Sequence, residues 1–339
     1  MTTILGIESS CDETATAILT DGKMIASNVS SQINLHSKFG GVVPEVACRA
    51  HMEALIPLLE EVFKQADIKP SDIDAVAVTN RPGLIGALLV GVLCAKGLAL
   101  ALNKSMIGVN HIEAHIAVCR MIQPELTPPY AALVVSGGHT QISLIKTDGT
   151  QEILEQTKDD AAGEAFDKAA KLLDLGFPGG PAIQKAAEKG NQKAFRWSSA
   201  CLPRNSGGFS FSGIKTAVLY AARGQAEGRK GALKLDEQGV CDAAASFQYA
   251  VVRALVKRTI EAAVKHKVNW IALGGGVAAN QCLRNTLQKA AASEKINLAV
   301  PPMRLCVDNA EMIAFRGWEL YQQGMFCDLD MPTYSREGI

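Results

Sequence analysis

No two of the nine cysteines are spaced CxxC, no run matches GxxxxGK[ST], and the chain has no net charge, with 34 Lys+Arg against 34 Asp+Glu. Each absence excludes something. Cys11, Cys48, Cys94, Cys119, Cys201, Cys241, Cys282, Cys306 and Cys327 are odd in number and lack framework spacing. They read as reduced thiols of a cytosolic-type compartment, none of them a ligand. Without a P-loop, a nucleotide must be held by other turns. Without net charge, bulk attraction to phosphate does not drive nucleic-acid binding, although a local basic patch still can. The opening TTILGIESS lacks both the basic start of a signal peptide and an Arg-rich leader. The expectation is a cytoplasmic protein, or an organellar matrix form whose leader has been removed. One stretch, Gly83–Leu102, is apolar enough to span a bilayer. It contains Lys96 and four glycines and follows Pro82 at the first helical position, so a buried helix and no membrane is expected.

What is present is enough for two medium domains, since the chain has 339 residues and 48% hydrophobic content. TILGIESS and ATAILTDGKMIAS read as strands joined by turns, with Asp21-Gly22 as a hairpin turn. A helix is expected from about Val46 to Ala66, a buried strand over Ile73–Val78, then the apolar helix, the short strand SMIGVN, and a helix opening at Asn110–His115. Pro124, Pro128 and Pro129 mark a linker at about 123–129. This places the domains at 1–124 and 125–339, with the helix after Asp308 packing back on the first.

Beyond the linker, AALVVSGGHTQISLIKTDG repeats the layout of LGIESSCDETATAILTDG: strand, small-residue turn, strand, Asp-Gly hairpin. Two related halves are implied, each presenting a turn to a phosphate or carboxylate. VNWIALGGGVAANQ adds a buried strand, three glycines and a helix start, where backbone N–H groups approach a ligand closely. The fold class is α/β, in the layout shared by sugar kinases, actin and Hsp70-type ATPases.

NHIEAH at Asn110–His115 has two histidines four apart. On a helix they stand ~6 Å apart along the axis and can share an ion. A zinc protease needs its glutamate directly after the first histidine. Here Glu113 comes one place later, about 200° around from His111, and points away. A third ligand must come from afar, and Asp308 in RLCVDNAEMIA is the candidate. Two histidines and one carboxylate with open positions suit iron or zinc as a Lewis acid. The competing reading is an incidental pair on a solvated face. Asp12 and Glu13 in the first turn either orient a nucleophile or cap a hairpin. Asp167 in DDAAGEAFDKAAKLL either binds a ligand or pairs with Lys171. His139 is expected to bond backbone. Between Asn191 and Leu235 stand eight Lys/Arg (Lys193, Arg196, Arg204, Lys215, Arg223, Arg229, Lys230, Lys234) against Glu227. They could face RNA phosphates or form a solvated segment.

GIESSCDETATA, SKFGGVVPEVACRAH, PGLIGALLVG, NHIEAHI, VVSGGHTQ, DDAAGEAFDKAAKLL, FPGGP, FSFSGIKT, LGGGVAANQ and VDNAEMIA together resemble the TsaD family of tRNA threonylcarbamoyladenosine transferases, from about residue 4 to residue 316. The resemblance implies an ASKHA fold, two ribonuclease-H-like lobes with a cleft between them. It implies transfer of threonylcarbamoyl from threonylcarbamoyl-adenylate to N6 of adenosine 37 in tRNAs reading ANN codons, releasing AMP. It assigns the metal to His111, His115 and Asp308, as one divalent ion, Fe(2+) or else Zn(2+). Substrate contacts fall on Val134, Val135, Ser136, Gly137, Gly138, Asp167, Gly180 and Asn280, with Asp12 and Glu13 near the reaction centre. The implied partners are tRNA and TsaB and TsaE subunits, as in bacteria, or a homodimer, as in organellar relatives. One position departs from the family: Arg81 stands in TNRPGL where glycine is usual. The rival readings are a non-catalytic partner subunit of the same fold, which would have lost the metal set, and a small-molecule kinase.

Overall fold

The computed structural model describes residues 1–197, 207–225 and 231–336. They form two compact units, one of residues up to Ile122 together with those from Val307 onward, the other Gln123–Cys306. In the first, β1 (Thr3–Glu8), β2 (Glu13–Thr20) and β3 (Lys23–Ser31) make an antiparallel meander. The Asp21-Gly22 turn has φ of 46° and 76°, the left-handed pair that a tight hairpin demands and Asp-Gly supplies. Two further strands, β4 (Ala75–Arg81) and β5 (Ser105–Asn110), run parallel to β1, giving the order β3-β2-β1-β4-β5. The intervening helices are α1 (Ile33–His36), α2 (Pro44–Ala66), α3 (Ile85–Leu102) and α4 (His111–Ile122). Side chains alternate across a strand. Leu5, Ile7, Val76 and Val78 therefore share one core with Leu55 and Leu59 of α2 and Val92 and Ala95 of α3.

The second unit repeats this plan. Its meander is β6 (Tyr130–Val135), β7 (Thr140–Ile145) and β8 (Gln151–Gln156), and β9 (Trp270–Gly274) and β10 (Asn297–Ala299) run parallel beside β6. The order β10-β9-β6-β7-β8 is that of the first sheet read from the opposite edge. The faint echo between the two openings is thus a repeated topology. Its helices are α5 (Ala162–Leu172), α6 (Gly179–Ala187), α7 (Ser212–Arg223), α8 (Glu237–Lys265) and α9 (Gln281–Ser293). Phe166, Phe209, Phe211 and Phe247 fill the core between them.

The last helix, α10 (Ala310–Gln322), returns to the first unit and lies on β1, against Ala15, Ala17 and Leu19 of β2. Glycine permits this closeness: a Cβ on Gly6 would stand 2.7 Å from both the Ala310 carbonyl and the Ala314 nitrogen. Glu113 of α4 pairs with Arg316 at 2.9 Å, and Arg120 with Glu319 at 2.6 Å. These two ion pairs tie α4 to α10. Residues from Val307 on thus group with the first unit, in keeping with a helix after Asp308 that packs back on it.

Two local expectations change. The apolar helix starts at Ile85 rather than at Pro82, because Leu84 is extended, with ψ of 119°, and its N–H meets the Ser10 carbonyl at 2.8 Å. Only one of its faces is buried (Ala87, Leu88, Gly91, Val92, Ala95, Ala99), while Leu89, Leu93 and Leu100 are exposed. In the basic stretch, Arg204, Glu227, Arg229 and Lys230 lie outside the described residues. Lys215 is held by Asp160 and Arg223 by Asp174, so both secure α7 within the second unit.

Candidate functional site

Two of the three candidate ligands, His111 and Asp308, are each placed by a capping asparagine next to them. Asn110, just before His111, accepts from the Ile112 and Glu113 N–H groups at 2.8 and 3.2 Å, which caps α4 and starts it at His111. Asn309, just after Asp308, accepts from Met312 N–H at 3.0 Å and caps α10. With α4 and α10 tied together, the ligands converge. Asp308 Oδ1 lies 3.3 Å from His111 Nε2 and 3.2 Å from His115 Nε2. The imidazoles meet edge to face at 83°, their centroids 4.7 Å apart. Donors that bind one ion at about 2.1 Å stand about 3.0 Å apart at right angles and about 3.4 Å at tetrahedral angles. The donor set fits a divalent cation. Glu113, turned away to Arg316, is not among the donors.

Behind His111 is a carboxylate that spacing arguments do not find. Glu8, wholly buried at the end of β1, takes His111 Nδ1–H on Oε2 at 2.9 Å. The same oxygen accepts from the Thr79 hydroxyl at 2.8 Å, while Oε1 accepts from Ser10 N–H at 2.5 Å. Ser10 Oγ lies 3.2 Å from His111 Nδ1. This carboxylate–histidine arrangement fixes the tautomer that leaves Nε2 free to ligate. The sequence does contain a signal for it: an acid closing the apolar run TILGIE has to find a buried partner. His115 Nδ1, also buried, has no partner among the described residues.

The charges follow from this packing. Burial alone would raise the Asp308 carboxyl, but the His111 charge and bonds from both imidazoles bring it well below the ordinary range. Burial works against protonation of His111, yet Asp308 and Glu8 raise it well above an ordinary imidazole. For His115 burial prevails and the pKa falls. Glu13, deeply buried and close to Asp308 and Asp12, is pushed up to about 9, and it shares a hydrogen bond with Asp12. Ser31 Oγ donates to its Oε1 at 3.1 Å. The turn is braced from below by buried His51, whose Nδ1 lies 2.7 Å from Thr14 Oγ1 and whose Nε2 lies 2.9 Å from the Cys11 carbonyl. Asp12 and Glu13 thus form a carboxyl pair beside the ligands rather than a simple hairpin cap.

In the second unit, the remaining candidates gather around the end of β6. Val134 and Val135 are its last residues, and Ser136 N–H and Oγ close the following turn onto the carbonyl and N–H of His139. Close packing holds two other segments to this turn. A Cβ on Gly163 of α5 would stand 2.6 Å from the Ser136 carbonyl, and one on Gly275 would collide with the Val135 carbonyl. Asp167 accepts from Gly179 N–H at 2.7 Å, which sets the start of α6 and with it Gly180. Asn280 caps α9 through Leu283 N–H at 2.9 Å and donates to Gln248 at 2.8 Å. Among the described residues, a Cβ on Gly137, Gly138, Gly180 or Gly276 would meet no atom within 4 Å. Their small size permits close approach of a ligand to backbone. Arg81, the departing residue, ends β4 in register with Asn110 of β5.

Comparison with known proteins follows the same line. The family model described as "TsaD: tRNA N6-adenosine threonylcarbamoyltransferase" matches residues 23–315. A tRNA N6-adenosine threonylcarbamoyltransferase of Thermosipho africanus is 50% identical over 327 residues, covering 96% of each chain. One from Clostridium botulinum is 48% identical over 329 residues, covering 97% of this chain and 95% of its own. Among solved structures, component A of the Acidaminococcus fermentans (R)-2-hydroxyglutaryl-CoA dehydratase aligns with TM-score 0.56 at 15% identity, over 94% of this chain and 98% of that one. HypF of T. kodakarensis aligns with TM-score 0.61 at 16% identity, over 95% of this chain and 48% of that one. These distant structures speak for the fold alone, which is of the ASKHA type.

Proposed function

The chain belongs to the TsaD family of tRNA N6-adenosine threonylcarbamoyltransferases, and on that premise we propose how its residues carry out the transfer. The donor is threonylcarbamoyl-adenylate, and the acceptor is N6 of adenosine 37 in tRNAs reading ANN codons. The observation that carries the reading is the convergence of His111, His115 and Asp308 on one point, with Glu8 behind His111. Two histidines and one carboxylate with open positions favour iron(II), with zinc the runner-up. When bound, such an ion supplies Lewis-acid polarisation of an acyl oxygen.

The chain's own residues do the rest. The turn Ser136–Gly138 with Val134 and Val135, the start of α6 at Gly180, and Asn280 with Gly274–Gly276 hold the adenylate by its nucleotide and phosphate. Asp167 fixes the α6 start through Gly179 N–H. The adenine N6 amine is a weak nucleophile, so fixed geometry supplies much of the acceleration. Its lone pair forms a bond to the carbamoyl carbon, and the bond from that carbon to the phosphate oxygen breaks. AMP leaves with the electron pair, and the amine proton passes to a carboxylate. Asp12 and Glu13, which share a hydrogen bond, are the carboxyl pair that orients the amine and takes its proton.

A chain without net charge gathers tRNA poorly by itself. TsaB and TsaE subunits, or a second copy in a homodimer, belong to the proposal for that reason, and so does a cytoplasmic location. The test is incubation of the purified chain, with and without those subunits, with threonylcarbamoyl-adenylate and unmodified tRNA. Nucleoside mass analysis should find threonylcarbamoyladenosine with the wild type and none with His111→Ala. No product under any combination removes the assignment.

A further inference from the structure

Arg81 is half-buried, and among the described residues its guanidinium meets no carboxylate. Its one contact there is a 3.4 Å bond from Nη1 to the Oδ1 of its neighbour Asn80. The backbone around it is tightly fixed. Two residues before it, the Thr79 hydroxyl bonds Glu8. Three residues after it, Leu84 N–H bonds the Ser10 carbonyl, and Gly83 approaches that carbonyl so closely that a Cβ would stand 2.6 Å from it. Glu8 and Ser10 are the two side chains that touch His111 Nδ1. In the sheet, Arg81 is in register with Asn110, the residue before His111. It therefore stands at the carboxyl ends of parallel β1, β4 and β5, the edge at which α/β sheets hold ligands.

A cation carried by fixed backbone at such an edge, without a counter-charge among the described residues, is suited to an anion on the substrate. We propose that Arg81 is a specificity-determining residue that binds the threonyl carboxylate of the acyl group, a deepening that rests on the function proposed above. The acyl group carries that carboxylate together with the reacting carbonyl, whose oxygen an ion held by His111, His115 and Asp308 would polarise, so both sites would serve one group. The planar guanidinium fork matches a carboxylate with two parallel bonds, and a lysine ammonium does not reproduce that fit. Glycine, usual in the family at this position, offers no such charge.

The experiment compares two donors, threonylcarbamoyl-adenylate and its counterpart with a carboxamide in place of the carboxylate. Full-length wild type, R81G and R81K are assayed with whatever subunits support wild-type turnover, with KM measured for donor and for tRNA separately. A charge-assisted bond lost at a partly buried site is worth about ten- to a hundredfold in binding. Wild type should prefer the carboxylate donor by about that factor, R81G should lose most of the preference through donor KM, and R81K should fall between. Melting curves show that the variants are folded; should R81G fail to fold, the R81K ratio decides alone. Wild-type turnover with an unchanged preference in the variants overturns the role of Arg81 while the transferase reading stands. A rise confined to KM for tRNA assigns Arg81 to RNA phosphate and overturns it as well. No threonylcarbamoyladenosine from wild type with either donor overturns the reading itself.

Discussion

Replacing Glu8 with glutamine separates support of the metal centre from ligation itself. Three donors point at this wholly buried carboxylate: Ser10 N–H at Oε1, and the Thr79 hydroxyl and His111 Nδ1–H at Oε2. An amide has one accepting oxygen. If it stays with Thr79 and His111, the NH2 group faces Ser10 N–H, 2.5 Å away in the native arrangement. If it turns over, the NH2 faces His111 Nδ1 and forces the tautomer with hydrogen on Nε2, the nitrogen that ligates. The second arrangement puts hydrogen on the ligating nitrogen, and the first leaves buried donors opposed, at a cost of about 1–3 kcal/mol. For a unit of this size that lowers the melting temperature by about 2–4 °C per kcal/mol. Loss of the supporting carboxylate should also weaken the metal by about 10–100-fold. The assay is competition with a chelator of known affinity, under anaerobic conditions for iron(II), alongside thermal melts. Thr79→Val serves as the control, since it removes one donor but leaves the His111 bond, and it should change affinity by less than about threefold. A Glu8→Gln protein that holds the ion as tightly as wild type refutes the reasoning.

Three further outcomes follow. Gly6→Ala should lift α10 from β1, costing about 1–3 kcal/mol by overpacking, and should weaken metal binding because Asp308 moves with that helix; urea unfolding and chelator competition check both. Without metal, His111 has its pKa raised from 6.5 and Glu13 from 4.5 to about 9. Groups raised on folding stabilise fully below their unfolded values and lose that contribution between those and the folded ones, so ion-free melting should fall from about pH 4.5 upward through Glu13, and more steeply above 6.5 where His111 adds to it. The depressed Asp308 works at the other end, its contribution present above 3.8 and lost in strong acid. Metal must displace the His111 proton, so affinity should instead rise about tenfold per pH unit below that group's pKa; calorimetry in two buffers counts the proton released. Gly276→Ala, where a Cβ touches nothing, should leave melting unchanged or raise it by up to about 1 kcal/mol equivalent while raising donor KM about tenfold; an unchanged KM would remove Gly276 from the nucleotide site.

Sequence reading succeeds where structure is set locally and stops where it depends on distant partners. The Asp-Gly hairpin, the SMIGVN strand and the helix opening at His111 are dictated by neighbours within a few residues. The metal set was legible because residue type and helical spacing restrict what two histidines can do, leaving one carboxylate to be found. Glu8 was not, since it meets a partner 103 positions away and no periodicity marks that. The start of the apolar helix shifted for the same reason: extended Leu84 bonds Ser10, which lies in the turn after β1. Its half-exposed face was also hidden, because a helix apolar on every side gives no clue to which side is covered. In the basic stretch, charge alone does not distinguish Lys215 and Arg223, which are locked to aspartates, from cations open to RNA.

The contact of Gly6 with the backbone of α10 joins β1 to a helix that the ribosome makes far later. A nascent chain finished as far as its histidines has two nitrogens waiting and no third donor. Only when translation has passed Ala314 can α10 settle on β1 and bring in Asp308. An ion that needs all three donors would therefore be loaded only after α10 has been made, and products truncated before that helix should emerge without one.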